Sequence, residues 1–121
     1  MGEVYYDRTG DPIGLDQWHE HYLDPDYRRV ALTAVLDPSD LGAIFYVYTM
    51  WLGIDQNFLL GRNDAGPAAP LIYETLVSAG DHGGADDVVE RYSCEADARA
   101  GHERHVTQRS ADIADVVNVE L

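Results

Sequence analysis

Residues 43–52, AIFYVYTMWL, decide the fold class, because a continuous run of β-branched, aromatic and other apolar side chains favours a β-strand. Side chains alternate along a strand, which gives two faces: Phe45, Val47, Thr49 and Trp51 on one, Ile44, Tyr46, Tyr48 and Met50 on the other. Both faces are largely apolar. We therefore expect a central strand that is covered on each side by a helix or by a partner.

Other apolar segments predict the strands that accompany this central one. Residues 28–36 (RRVALTAVL) form a similar run, and the turn residues 37–42 join the two runs as an antiparallel hairpin. Residues 71–77 (LIYETLV) and 88–92 (VVERY) predict two further strands, and a short β-prone segment, 3–6 (EVYY), opens the chain. The sequence therefore predicts four to five strands.

Two segments have the features of helices. In the first, one stripe at i, i+3, i+4 and i+7 follows the helical period, and it consists of Leu15, Trp18, His19 and Tyr22. Pro25 ends this helix, because the residue before a proline is disfavoured in the α region. Ser93 is a typical N-cap residue, and we expect a second helix from there to about Arg109.

The order of these elements, β-α-β-β-β-β-α, indicates an α+β fold. We expect an antiparallel sheet with two helices packed on one face. The domain is predicted to span residues 1–109. Residues 110–121 form a C-terminal extension whose apolar positions suit an edge strand and a helix equally.

The charge of the chain excludes several classes of ligand. The 121 residues include 22 Asp and Glu against 8 Lys and Arg, a net charge of −14, and every cation is an Arg. With Arg28-Arg29 as the longest basic run, the chain lacks the cationic clusters that bind phosphates, so we expect neither nucleic acid nor membrane as a direct ligand. No long apolar segment or leader is recognisable, and we expect a cytoplasmic protein. Cys94 is a lone cysteine that cannot form an internal disulfide.

The sequence Gly101-His102-Glu103-Arg104-His105 is the strongest candidate for chemistry. His102 and His105 share one helix face at i, i+3, whereas the zinc-protease pattern needs histidines at i, i+4. The small residues Ala98 and Gly101 on the same face favour a different interpretation, in which the helix approaches the sheet closely and His102 is a hydrogen-bonded structural residue. We expect no metal and no cofactor.

Glu74 interrupts the apolar run 71–77. On an exposed strand face it is ordinary polar alternation, and burial beside His102 or Arg91 would make it a site candidate. Glu74, His102 and His105 therefore form the second-choice polar site, with metal-dependent or acid–base catalysis as the alternative function.

Three parts of the chain carry a resemblance to a known family. They are YDRTGDPI (6–13), WLGIDQNF (51–58) with PLIYET (70–75), and ERYS (90–93) with AGHE (100–103). Together they resemble a family of small accessory proteins of unknown activity that bacteriophages and prophages encode. The resemblance implies a viral accessory protein that acts in the host cytosol, and it implies no catalytic residues.

The function that we expect is therefore a non-catalytic interaction with a host protein. The candidate binding residues are aromatic and polar: Tyr46, Tyr48, Trp51, Asp55, Asn57 and Phe58. A sharper variant is mimicry of nucleic acid by spaced carboxylates, for example against a host defence enzyme. The acidity is also typical of halophilic proteins. A composition that is rich in Arg and free of Lys is typical of GC-rich genomes. Self-association through the two-sided apolar strand, as in a homodimer, is a further alternative.

Overall fold

The computed structural model describes residues 4–36, 43–59, 69–79, 87–111 and 117–120, and it shows the expected α+β fold. The helices are α1 (Leu15–Tyr22), α2 (Pro25–Arg28), α3 (Gln56–Leu59) and α4 (Glu95–Ala111). The strands are β1 (Arg29–Leu36), β2 (Ala43–Trp51), β3 (Tyr73–Ala79), β4 (Asp87–Tyr92) and β5 (Val117–Glu120). The main strands and the long helix lie within a few residues of their predicted positions.

The strands form one antiparallel sheet in the order β4-β3-β2-β1-β5, so β2 is central as predicted. The C-terminal extension, which the sequence left open between strand and helix, contains β5 at the edge of the sheet, where Val117 pairs with Leu36. Of the predicted strand at 3–6, the described residues 4–6 are not part of this sheet. Tyr5 and Tyr6 form isolated bridges, to Ile54 and Pro12, and Pro12 has no backbone N–H with which to extend its pairing with Tyr6.

Helix α4 packs across β1, β2, β3 and β4 on one face of the sheet. Glu95 and Asp97 lie in its first turn and Arg109 in its last, which is the charge distribution that the helix dipole favours. Ala98 and Gly101 are buried on the side that faces the sheet. Small residues at these two positions allow the close approach that the sequence indicated.

An apolar core cluster lies at the end of the sheet where β2 finishes, and it contains Val30, Trp51, Ile72, Tyr73, Tyr92 and Ala98. The α1–α2 segment packs at the same end, with the Tyr27 ring edge-on to Trp51 at a centroid distance of 4.9 Å. The N-terminal segment is held there by polar contacts. The Tyr73 hydroxyl donates to the Arg8 carbonyl at 2.6 Å, and the Arg8 guanidinium pairs with Glu95 at 2.6 Å.

We predict that Gly101→Ala destabilises the protein although alanine is the better helix former. A Cβ at position 101 would overlap the hydroxyl and ring of Tyr92, which is held by a hydrogen bond to Thr75. Overpacking costs about 1–3 kcal/mol, against a gain in helix propensity of about 1 kcal/mol. Thermal unfolding followed by circular dichroism measures the balance. The control is Ala100→Gly at an exposed position of the same helix, and an unfolding temperature for Gly101→Ala at or above that of the wild type would contradict this packing.

Candidate functional site

The two faces of the sheet present two different candidate sites. Side chains at alternate positions point to opposite faces, so Thr49 and Trp51 lie on the face that α4 covers, and Tyr48 and Met50 lie on the other. Helices α1 and α2 also contact the first of these faces, because His21 and Tyr27 pack against Trp51. We call the second one the open face, defined by Leu32, Tyr46, Tyr48, Met50, Leu76 and Ser78.

The open face is a shallow apolar concavity of about 350 Å³. Cross-strand register builds it, since Tyr48 on β2 is paired with Leu32 on β1 and with Leu76 on β3. All six lining residues are strand residues and all are partly exposed. In the described part of the chain, no helical residue lines this concavity. We expected a helix or a partner on each side of β2. Among the described residues, a helix covers β2 on the α4 side and not on the open face.

The binding residues predicted from sequence do not form one surface. Tyr46 and Tyr48 lie on the open face. Trp51 is fully buried on the opposite side, where its indole nitrogen donates to the Tyr6 carbonyl at 3.2 Å. It was assigned to the same surface because it is aromatic, although alternation already separated it from the two tyrosines.

Two further predicted binding residues have local structural partners. The Asp55 carboxylate accepts hydrogen bonds at 3.0 Å from the backbone nitrogens of Asn57 and Leu71, and so it joins α3 to the segment before β3. The Asn57 side chain donates to the Ala69 carbonyl at 3.5 Å. The side chain of Phe58 lies outside the described residues.

Sequence reasoning did not assign Leu32, Met50 and Leu76 to this surface. The alternation of β2 already placed Met50 beside Tyr46 and Tyr48, so that signal was available. Leu32 and Leu76 belong to the neighbouring strands. Both lie on the open face because the strand register pairs each of them with Tyr48. Register depends on how the strands align, and an apolar run alone does not specify it.

Glu74 lies on the same side of the sheet as Tyr48 and Met50, and it is 8% exposed. Its carboxylate forms an ion pair with Arg91 on β4, at 3.7 Å between Oε1 and Nε. Burial raises the pKa of the Glu74 carboxyl, and the nearby Arg91 charge offsets only part of that rise. Glu74 and His102 are on opposite faces, so they do not belong to one site.

His102 is the centre of the second candidate site, between α4 and the sheet. It is 1% exposed, and its Nε2 and Nδ1 atoms each lie 2.8 Å from a threonine hydroxyl, Thr33 on β1 and Thr49 on β2. A buried polar ring needs such partners, because an unpaired one costs about 1–3 kcal/mol. This arrangement fits the structural interpretation of His102.

The contacts of His102 continue into a chain of hydrogen bonds across the sheet. The Thr49 and Thr75 hydroxyls are 2.6 Å apart, and the Thr75 hydroxyl is 2.9 Å from that of Tyr92 on β4. The Tyr92 hydroxyl in turn donates to Glu90 at 3.4 Å. We call this series, from Thr33 through His102 to Glu90, the hydroxyl chain. Its threonines were not recognised in the sequence, because single threonines in apolar strands are common.

Glu90 ends the hydroxyl chain near the surface. Its Oε1 accepts from Arg104 and from His105 Nε2, the latter at 2.9 Å, and His105 Nδ1 lies 3.0 Å from the Arg109 guanidinium. Burial tends to raise the pKa of Glu90, but the hydrogen bonds and charges of His105 and Arg104 outweigh it and hold the pKa below the usual value. Beside it is a polar concavity of about 300 Å³, lined by Leu71, Glu90, Arg91, Tyr92, Ser93, Asp97, Ala100 and Arg104.

The second-choice polar site therefore does not assemble. His102 and His105 are both on α4, but their rings belong to different contacts, and Glu74 lies across the sheet. Within residues 4–36, 43–59, 69–79, 87–111 and 117–120, no three His, Cys, Asp or Glu side chains are arranged to hold a metal ion. Over the same ranges, no helix has both the length and the apolar character that crossing a membrane requires.

Comparisons of the chain with protein-family models, with curated proteins and with solved structures found no match. The assignment of function therefore depends on the geometry described above.

We predict that Glu74→Gln stabilises the protein at pH 7. The pKa of Glu74 is raised in the folded state, so its contribution to stability falls as pH rises through the interval above the ordinary value of 4.5. At pH 7 a neutral amide removes the cost of burying an ionised carboxylate. Below pH 4.5 it makes little difference, because the carboxyl is mostly protonated in the folded and in the unfolded protein. Thermal unfolding at pH 4 and pH 7 measures both effects.

Glu103→Gln is the matched control, since Glu103 is exposed on α4 and undergoes the same chemical change. A gain of about 1 kcal/mol corresponds to roughly 4 °C in unfolding temperature for a domain of this size. A lower stability of Glu74→Gln than of the control at pH 7 would show that the pair with Arg91 outweighs the cost of burial.

Proposed function

We propose that this protein is a non-catalytic interaction domain that binds a protein partner through the open face. The observation that carries the proposal is the character of that face: a concave, partly exposed sheet surface with two tyrosines, a methionine and two leucines. Tyrosine and methionine are enriched in protein interfaces, and an ordered sheet loses little conformational entropy on binding. The candidate residues are thus Tyr46, Tyr48 and their neighbours on β1, β2 and β3.

Charge favours a partner of opposite sign. Each chain carries a net charge of −14, so two copies repel each other, whereas a basic protein is attracted and steered toward the surface. Homodimerisation through the open face is for this reason the less favoured alternative. The resemblance to phage accessory proteins supports a host protein as the partner and the host cytoplasm as the location.

The arrangement of the histidines supports a non-catalytic role. His102 contacts a threonine hydroxyl at each ring nitrogen, and His105 contacts Glu90 at one and Arg109 at the other. A general acid or base needs a ring nitrogen within reach of substrate. These contacts occupy both nitrogens of both rings with groups of the protein itself.

Comparison of two tyrosine variants tests the proposal. Tyr48→Ser removes an aromatic ring from the open face, and Tyr22→Ser makes the same change on α1, where Tyr22 is 36% exposed. Tagged wild-type and variant proteins are used to capture partners from an expressing host at low and moderate salt. We expect a partner that wild type and Tyr22→Ser retain and that Tyr48→Ser loses, with at least a tenfold higher Kd when that partner is purified and titrated.

Light scattering on the same three proteins distinguishes a partner from a second copy. We expect monomers in all three. A wild-type dimer that becomes monomeric in Tyr48→Ser would assign the open face to self-association and overturn the proposal. Equal affinity of a purified partner for wild type and Tyr48→Ser would overturn it as well.

A further inference from the structure

Each hydrogen bond of the hydroxyl chain has a donor and an acceptor, and we call the order in which the groups donate the direction of the chain. We infer that the ionised Glu90 carboxylate sets this direction, so that His102 is held as the tautomer with its proton on Nδ1. The chain thereby reports the ionisation of a group near the surface to a ring buried between α4 and the sheet. This inference is independent of the proposed function, since it concerns the opposite face from the open face.

The direction begins at Glu90, because an ionised carboxylate can only accept hydrogen bonds. Three groups point at its Oε1: the Arg104 guanidinium, the Nε2 atom of His105 and the Tyr92 hydroxyl. The tautomer of His105 follows from its other contact. Arg109 can only donate, so Nδ1 of His105 accepts from it, and the proton lies on Nε2 and is donated to Glu90.

The proton positions of the remaining groups follow one from another, because each hydroxyl has a single proton. Tyr92 donates to Glu90 and therefore accepts from Thr75. Having donated to Tyr92, the Thr75 hydroxyl must accept from Thr49. Thr49 has then used its proton, and it accepts from His102.

His102 is the last group in this sequence. Because Thr49 accepts at Nδ1, the ring carries its proton there, and Nε2 accepts from the Thr33 hydroxyl. The reverse tautomer would require Thr49 to donate to His102, Thr75 to donate to Thr49 and Tyr92 to donate to Thr75. The Glu90 carboxylate would then lose its hydrogen bond from Tyr92, which is the less favourable arrangement for an ionised acceptor.

Neutral Glu90 removes this bias, because a protonated carboxyl can donate as well as accept. The charged or titratable groups that face Glu90 are Arg104 and His105 on α4, with Arg109 behind His105 and with Arg91 and Asp97 beside the same concavity. On β3 the facing residue is Thr75, which is uncharged. The Arg104 guanidinium and the hydrogen bond from His105 stabilise the ionised Glu90 carboxylate at neutral pH, so the direction is stable there and is released in acid.

Long-range ¹H–¹⁵N correlation spectra of the full-length protein test the inference, because they identify which ring nitrogen of His102 carries a proton. In the wild type at pH 7 we expect the proton on Nδ1. Glu90→Gln is expected to shift His102 toward the Nε2-protonated form, since an amide can donate to Tyr92. The control Glu103→Gln removes the same charge from an exposed position of α4 and is expected to leave the tautomer unchanged.

Tyr92→Phe provides a second variant, which keeps the carboxylate and removes the hydroxyl between Thr75 and Glu90. Like Glu90→Gln, it is expected to shift His102 toward the Nε2-protonated form, because Glu90 no longer determines which way the threonine hydroxyls donate. A proton on Nε2, or on both ring nitrogens, in the wild type at pH 7 would overturn the inference even if neither variant folds. An unchanged tautomer in both folded variants would overturn the control by Glu90.

Discussion

The structure depends on the need to satisfy polar groups that are buried between α4 and the sheet. His102 is almost completely enclosed there, and a ring in that position must have hydrogen-bonding partners. The threonines of β1 and β2 supply them, one at each ring nitrogen. These bonds fix the position of α4 relative to two neighbouring strands, and apolar contacts alone would specify that position less sharply.

This constraint explains why the two faces of the sheet differ. On the α4 side, polar side chains are matched to one another from Thr33 to Glu90, and the face is closed. On the opposite side, β2 presents Tyr46, Tyr48 and Met50, which line the concavity of the open face and are partly exposed. The first face holds the hydrogen bonds that position α4, and the residues that line the second are partly exposed.

The sequence predicted the parts of the fold that depend on local pattern. Alternation and turn residues predicted β1 to β4, and acidic first-turn residues predicted α4, which begins at Glu95, two residues after the predicted N-cap Ser93. The short segment 3–6 was predicted as a strand from its composition, and its described residues form isolated bridges, of which the one to Pro12 cannot be extended by a residue without a backbone N–H. The extension at 110–121 was undecided, since four residues of alternating pattern acquire strand structure only when an edge such as β1 is present to pair with them.

The candidate sites were less predictable, because they depend on register. His102 was identified as a structural histidine from its small neighbours on the helix, but its threonine partners come from separate strands. Trp51 was grouped with Tyr46 and Tyr48 by residue type, and the register placed it in the core. Glu74 was predicted to be a site candidate if it were buried beside His102 or Arg91. It lies on the sheet face opposite to His102 and beside Arg91.

The contacts of Arg8 have a consequence for the order of events during synthesis. Its carbonyl accepts from Tyr73, 65 residues away, and its side chain pairs with Glu95, 87 residues away. Arg8 also bonds to Tyr27, 19 residues away, and that contact can form before Tyr73 and Glu95 have been synthesised, whereas the two distant contacts cannot. Loop closure over 65 and 87 residues costs more entropy than closure over 19, so we expect the distant contacts of Arg8 to form after the one with Tyr27.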